Sequence, residues 1–413
     1  MRRQALAVAA RAVAHHLNAD HTDHVGPTTP CPCGHVAHYA GRHAKTFTSA
    51  LGPLTLTRAY YHCDACGTGG CPRDAALGLA DTTLSPAVTR MVGRVGALVS
   101  FVEGHGLLDA LAGVAVDAKQ VERTAEALGH AIAADERTVV VPDPPSAPTL
   151  YLGVDGTGVP MRSADLAGRV GKQPDGTAKT REVKLVTIWS AEGRDADGTP
   201  VRDVGSITYS AGIDSAASLD ADTGLSPFAA RVDREAQRRG FDQAARRVVL
   251  GDGAAWIWRL ADEGCPGAVQ IVDLFHAKQH VSDVAKAIYG PGTDLSRQWA
   301  HAQHADLDAG HLRALCHALR PHRTTQPEAR RCWEYLVRHR ARMRYPAFRA
   351  QGLCVSSGVV EAGCKVAIGT RLKRAGMHWT VAGADAIVAL RCCILSGRFE
   401  DFWERRAQRR AAA

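Results

Sequence analysis

Apolar and polar positions change rhythm several times along this chain, and each change marks a different element. Residues 1–18 carry apolar side chains at helical spacing. The next segment, 30–75, is rich in Cys and Gly and contains two strand-like runs, Lys45-Thr-Phe-Thr-Ser49 and Leu54 to Tyr61, separated by the turn signal Leu51-Gly52-Pro53. From Ser85 to Arg137 the period is helical again, with Ser85-Pro86 suited to a helix start. Val114 to Asp117, ahead of Lys119 to Arg123, fits the turn and second helix of a helix-turn-helix, a pattern that any pair of helices shares. Val141 to Pro148 holds four prolines and reads as a stiff linker. Beyond it come strands at 150–154, 181–190 and 205–210, and a helix near 226–239. Arg247 to Gly251 and Val269 to Asp273 read as two buried strands, each followed by a helical stretch. Residues 290–350, Val355 to Leu372 and Gly383 to Leu395 are helical. Three early strands followed by alternating strand and helix predict an α/β fold, a mixed sheet covered by helices.

With 413 residues the chain has room for two or three domains. The rhythm divides it into an N-terminal helix (1–29), a Cys-rich ribbon (30–76), a helical region (77–140) that becomes a DNA-binding candidate if the helix-turn-helix pattern holds, the linker (141–149), a strand-rich segment (150–289), a basic helical segment (290–350), a further helical segment (351–398) and a basic tail (399–413). The formal charge of +8 is unevenly spread. Between Arg320 and Arg349 nine Arg face only Glu328 and Glu334, with His322 and His339 besides. Such a cluster either attracts a polyanion or forms a solvated helical face. No apolar run reaches the roughly 18–20 residues that a membrane span needs, so no membrane partner is expected. The start, Met1-Arg-Arg-Gln-Ala-Leu-Ala-Val-Ala-Ala-Arg11, looks briefly like a signal peptide, but Arg11, His15 and His16 interrupt it. Twelve mostly isolated Cys fit a reducing cytoplasm better than a disulfide scaffold.

Three short islands carry the candidate chemistry: Tyr151-Leu-Gly-Val-Asp155-Gly-Thr, Val248-Val-Leu-Gly-Asp252-Gly-Ala and Ser357-Gly-Val-Val-Glu361-Ala-Gly-Cys-Lys365. The order Asp, Asp, Glu is that of a two-metal phosphoryl-transfer site. Mg²⁺ needs two or three converging carboxylates, with water and substrate phosphate completing its shell. Two such ions stabilise both the attacking and the leaving oxygen of an in-line displacement. A single strand-end Asp-Gly pair is an ordinary turn; two after strongly apolar strands, with a Glu in an otherwise uncharged helix start, favour a site. Lys365 falls one turn beyond Glu361 on a regular helix.

Cys31-Pro-Cys33 and Cys63-Asp-Ala-Cys66 flank the expected hairpin, and four thiolates in two knuckles suit a structural Zn²⁺. His35, His62 or Cys71 are alternatives for one ligand, and unmetallated buried Cys is the plainer reading. Arg371, Lys373, Arg374, His378 and Trp379 form a basic stretch with an aromatic, suited either to phosphates and a stacked base or, for Trp379, to core packing. Cys392 and Cys393 lie in an apolar helix and read as buried, and Arg405 to Arg410 reads as a frayed basic end.

The islands and their neighbours resemble the DDE transposases of bacterial insertion sequences, in particular the Kra-type group related to the Mutator-like branch. The resemblance rests on the Cys-rich stretch ending Ala59-Tyr-Tyr-His-Cys63, on Asp155-Gly-Thr-Gly-Val-Pro160, on Gly251-Asp-Gly-Ala-Ala-Trp256-Ile-Trp258, on the Asp-x-x-His element Asp273-Leu-Phe-His276 and on Arg371-Leu-Lys-Arg-Ala-Gly-Met-His-Trp379. It implies a ribonuclease H-like fold, with Asp155, Asp252 and Glu361 holding two Mg²⁺ or Mn²⁺ ions. Asp273, His276 and Lys365 become auxiliary candidates, His276 being either a phosphate-positioning group or a satisfied core histidine. The long gap from Asp252 to Glu361 implies a helical insertion that holds transposon-end DNA, which gives Arg338, Arg340, Arg342 and Arg344 a role. The expected activity is cleavage at insertion-sequence ends and transfer of the freed 3′-OH into target DNA. The expected partners are double-stranded terminal repeats, target DNA and further copies of the chain on paired ends, with a cytoplasmic, nucleoid-associated location. The rivals are a metal-dependent nuclease on the same fold and an inactive relative that only binds DNA.

Overall fold

A computed structural model describes residues 1–413 other than 81, 142–143, 145–146, 172, 174–175, 216–224, 357 and 413. Part of the expected Pro-rich linker, and Ser357 of the third acidic island, therefore lie outside the described residues. The chain forms two compact units, Met1–Asp135 with Ala389–Ala413, and Glu136–Val388. No described helix is long and apolar enough to cross a membrane.

The first unit opens with the helix Arg2–Ala19 and a four-stranded antiparallel sheet, β1 (Thr28–Pro30), β2 (Val36–Ser49), β3 (Gly52–His62) and β4 (Gly69–Gly70), in that order. The hairpin β2–β3 is longer than the two apolar runs suggest. It pairs from Ser49↔Gly52 down to His38↔His62, with a bulge between Tyr39 and Arg42. Polar residues at its edge concealed that length, because backbone pairing carries the strands past the apolar core. The helices Pro86–Leu98, Phe101–Leu107 and Ala118–Thr138 follow, and Ser85 and Ser100 cap the first two through their hydroxyls. Val114–Asp117 is the connector before the third, and Val114 and Val116 pack with Val88, Val92 and Val121.

The tail departs from expectation. Phe399–Ala412 is a helix, not a frayed end. Arg405 and Arg409 each reach the buried Asp135 carboxylate at 2.7 Å, and Phe402 is buried. A buried carboxylate needs paired cations, and the tail's arginines supply them.

The second unit is built on β5 (Thr149–Pro160), β6 (Thr180–Ser190), β9 (Thr208–Gly212), β10 (Arg246–Gly251) and β11 (Val269–Val272), with a small separate hairpin, β7 (Gly193–Arg194) and β8 (Pro200–Val201). The five strands are ordered β11-β10-β5-β6-β9. β6 runs antiparallel to both β5 and β9, while β10 pairs in parallel with β5 on one side and with β11 on the other. This is the expected mixed sheet. Strands β5, β6 and β10 are buried on both faces, which explains their unbroken apolar runs. The helices Asp294–Asp308, Leu312–Leu319, Pro327–His339 and Tyr345–Ala350 occupy the expected insertion. Leu307, Leu315, Leu336 and Phe348 join the same apolar core as Leu152, Val249 and Ile271.

One contact fixes the last segment. The helix Gly358–Gly363 crosses β5 at Gly153, where a Cβ would stand 2.0 Å from Val360 Cγ2. Gly363, five residues on, packs against Leu185, Thr187 and Tyr209. The helix starts later than expected, and Cys364–Gly369 winds as a π-helix before Thr370–Leu372 returns to α. Overpacking a core site costs about 1–3 kcal/mol. Gly153→Ala is therefore expected to lower the unfolding midpoint by several degrees in calorimetry, and adding Val360→Ala to recover much of the loss. An unchanged midpoint would show that the helix is not held there.

Candidate active site and metal centre

Parallel pairing places the acids. Leu250 pairs with Gly153 across β10 and β5, and Gly251 with Val272 across β10 and β11. Carrying both registers forward brings Asp155, Asp252 and Asp273 into one row across three adjacent strands, about 4.8 Å apart from strand to strand. Asp252 and Asp273 follow the carboxyl ends of β10 and β11, whereas Asp155 lies inside β5, which pairs with β6 as far as Pro160 and so does not end at Asp155 as the sequence suggested. Ligands of open α/β sheets bind at the carboxyl ends of the parallel strands. The helix seated on Gly153 adds Glu361 from above. Asp155, Asp252, Asp273, His276 and Glu361 line one cleft of about 740 Å³. The structure thus gathers the sequence-predicted acids, with His276, around one space. Lys365 is exposed and does not line it.

Each acid is held by local backbone. Gly156 N–H donates to Asp155 Oδ1 at 2.7 Å, and the Cys364 thiol also hydrogen-bonds this carboxylate. Burial pushes the Asp155 carboxyl above its ordinary value, and the nearby Asp252 charge adds to the rise. Asp252 Oδ1 accepts from Ala254 N–H at 2.8 Å. Gly253 takes φ +106°, and a Cβ there would lie 2.4 Å from the Tyr335 ring. The Tyr335 hydroxyl in turn donates to the Asp252 carbonyl at 2.7 Å. Asp273 is buried and caps the helix Leu274–Tyr289, accepting from His276 N–H at 2.8 Å. Its placement is that of a helix cap beside the row.

Behind Asp252 lies a ring cluster. His280 is 4.4 Å and His339 5.0 Å from Tyr335 between centroids, and His276 is 5.0 Å from His280. Burial lowers His280, and lowers His339 to about 4, so both are neutral at pH 7 and pack as aromatics rather than as phosphate-binding cations. Sequence reasoning missed Tyr335 and the cleft-lining Phe275, Lys278, Gln279, Ser282, Lys286 and His304. Five of the six lie on the helix after Asp273, at spacings that share a face, and that periodicity was the available signal.

The basic candidates separate. Arg338, Arg340 and Arg344 are exposed, whereas Arg342 lies 4.6 Å over the Trp258 ring and donates to Gln270 at 2.6 Å. None of these four lines the acidic cleft. Lys373 and His378 are exposed, Arg374 is half-buried, and Lys373 donates to the Thr157 hydroxyl two residues past Asp155. Two expectations are corrected by burial. Arg371 is fully buried beneath Trp379, 5.0 Å from its ring centroid. Trp379 is itself buried, and its indole N–H donates to Leu372 O at 3.0 Å. This pair braces its loop and presents no face to a DNA strand.

In the first unit, Cys31, Cys33, Cys63 and Cys66 bring their sulfurs within 4.8 Å of one another. Two tight turns form the knuckles, closed by Gly34 N–H to Cys31 O at 2.9 Å and Gly67 N–H to Cys63 O at 2.8 Å. Cys31 belongs to the group, 3.3 Å from Cys33 and 3.6 Å from Cys66. Cys71 lies apart beside Arg58, and His62 faces Asp64. The Thr68 hydroxyl, 2.9 Å from Cys66 Sγ, brings that thiol down to about 6. Four sulfurs in this arrangement could hold a zinc ion. Among the described residues no other three His, Cys, Asp or Glu ligand atoms are gathered so tightly.

The fold and sites define a mixed α/β protein with an acidic cleft and a four-thiol centre. No family model matches the chain, and no curated protein is similar to it. Among solved structures it is similar to a chain of the Drosophila P element transposase strand transfer complex, at 9% identity and a TM-score of 0.25, over 81% of this chain and 83% of that one.

Two measurements test the sites. The purified protein is expected to carry one zinc per chain by elemental analysis, lost in Cys63→Ser and retained in Cys71→Ser; loss in both would move the ligand set. An acid whose folded value is raised lends stability below its ordinary value of 3.8, and loses it as pH rises through the raised value. Asp155→Asn is therefore expected to melt above wild type in EDTA at pH 7, with the gap shrinking as pH falls towards 3.8. A variant less stable than wild type at pH 7 would contradict this.

Proposed function

We propose that the protein is a DDE-type transposase of the Kra-type group, with Asp155, Asp252 and Glu361 as its metal-binding carboxylates. The observation that carries this reading is the convergence of those three acids, from two neighbouring parallel strands and a helix seated on the first of them, on one open cleft. The sheet supports a ribonuclease H-like reading: three consecutive antiparallel strands, then two parallel strands reached through helices. The exposed Arg338, Arg340 and Arg344, with Lys373, Arg374 and His378, are the proposed DNA contacts, and DNA-bound copies are proposed to pair two ends.

The donor set fits Mg²⁺ or Mn²⁺: hard carboxylate oxygens on an open cleft, one of them destabilised as an anion by burial. The three carboxylates are less tightly gathered than the four thiols. When bound, the ions would supply an activated water and neutralise charge on the attacking and leaving oxygens. The chain's own residues do the positioning. Backbone N–H groups orient Asp155 and Asp252, Tyr335 holds the Asp252 turn, and the neutral His280 and His339 leave the adjacent charge to the carboxylates. The proposed reaction is hydrolysis at an element end that frees a 3′-OH, followed by attack of that 3′-OH on a phosphodiester of target DNA.

The test is cleavage and joining of labelled DNA carrying the ends that flank this gene, with Mg²⁺ or Mn²⁺. Wild type is expected to cleave and join. Asp252→Ala is expected to bind the ends while losing both reactions by at least about a hundredfold, the scale of a lost electrostatic catalytic group. Cleavage without joining would mark a nuclease, and binding without chemistry in either protein a DNA-binding relative.

A further inference from the structure

We infer that Phe275 is a stacking platform for an unpaired base of the DNA strand held at the acidic cleft; the inference rests on the transposase reading above and adds to it the form in which the strand is bound. Among the described Phe and Trp side chains Phe275 is the only exposed one, with 70% of its surface open to solvent. The others contribute to cores or lie half-buried. An open phenyl ring costs favourable burial and is retained here in a cleft that is otherwise mostly polar.

Its position is specific. Phe275 lies two residues after Asp273, whose N–H binds Gly251 O at 2.9 Å, so the ring is carried at the strand edge that bears Asp252. It directly precedes His276, which lines the cleft with the carboxylates. The ring and the three carboxylates line the same space. Along the helix Leu274–Tyr289, Phe275 is followed on the same face by Gln279, Ser282 and Lys286, all of which also line the cleft. One face of one helix therefore offers an aromatic surface beside the acids, then a stripe of hydrogen-bond donors and a cation leading away.

That sequence of groups matches a single strand better than a closed duplex. Bases of a duplex are stacked on each other and offer no face to a ring. An unpaired base does, and aromatic stacking is tolerant of base identity. A phosphodiester at the carboxylates would place its neighbouring base against Phe275, with the sugar–phosphate chain continuing along Gln279, Ser282 and Lys286. The ring would then hold the strand end splayed while the reacting phosphate is positioned.

The experiment uses the full-length protein and a labelled end fragment whose reacting strand is unpaired for a few nucleotides, in Ca²⁺ to suppress cleavage. An abasic nucleotide is moved through the unpaired stretch one position at a time. Phe275→Ala is expected to bind this DNA about tenfold more weakly than wild type, the scale of one stacked base, and Phe275→Trp to bind as well as wild type. One abasic position is expected to weaken wild type similarly and leave Phe275→Ala unaffected. The exposed ring should be removable without loss of folding, checked by the unfolding midpoint. Equal binding by Phe275→Ala and wild type, or abasic penalties that are the same in both, overturns the stacking inference while the transposase reading stands. Failure of both proteins to bind any end fragment overturns both.

Discussion

The approach of Val360 to Gly153 is the contact on which the acidic cleft depends. A side chain at Gly153 would occupy the place of Val360, and the helix carrying Glu361 could not rest on β5. Glycine weakens a strand interior, so its presence in the fully buried first half of β5 calls for such a close approach. Thr187, directly opposite Gly153 on β6, donates its hydroxyl to Gly153 O and also touches Gly363. The helix is thereby seated over two strands at once. Cys364 extends the contact by hydrogen-bonding Asp155. Packing and site geometry are thus the same contact seen at two positions.

The sheet contributes a second constraint, register. Parallel pairing fixes Asp155, Asp252 and Asp273 in a row, and a one-residue slip would turn each side chain to the opposite face. The row concentrates negative charge where burial already disfavours it, as the rise at Asp155 records. Asp273 caps a helix. Backbone N–H groups at Asp155 and Asp252, with the Cys364 thiol at Asp155, orient the carboxylates without neutralising them. A fold that keeps two acids in this state gains little stability from them, which favours a role in holding cations over a structural one.

Much of this was legible in the sequence because the relevant signals are local. The apolar runs of β5 and β10 announced buried strands, and the Cys spacing announced the thiol centre. What stayed hidden depends on contacts distant in sequence. The role of Gly153 is invisible without Val360, more than two hundred residues away. Arg371 and Trp379 read as DNA-facing because each is a common phosphate or base contact, yet their mutual packing buries both. The tail arginines read as frayed until Asp135 is placed beside them.

The helix Pro327–His339 shows why the basic insertion need not be a mere appendage. Its inward face carries Ala329, Cys332 and Leu336 into the core of the sheet, and Tyr335 reaches the Asp252 carbonyl. Arg331 and Arg338 are exposed. Tyr335 stands four residues after Arg331 and three before Arg338, so positive charge and support for a carboxylate share one side of one rigid element. A polyanion engaged by those arginines would lie beside the Gly253 turn, where the Tyr335 ring leaves no room for a side chain. Such a turn has little freedom to relax except by moving Asp252. The insertion therefore belongs physically to the acidic cleft, and the length of chain between Asp252 and Glu361 is what lets a helix return to buttress the turn from which it departed.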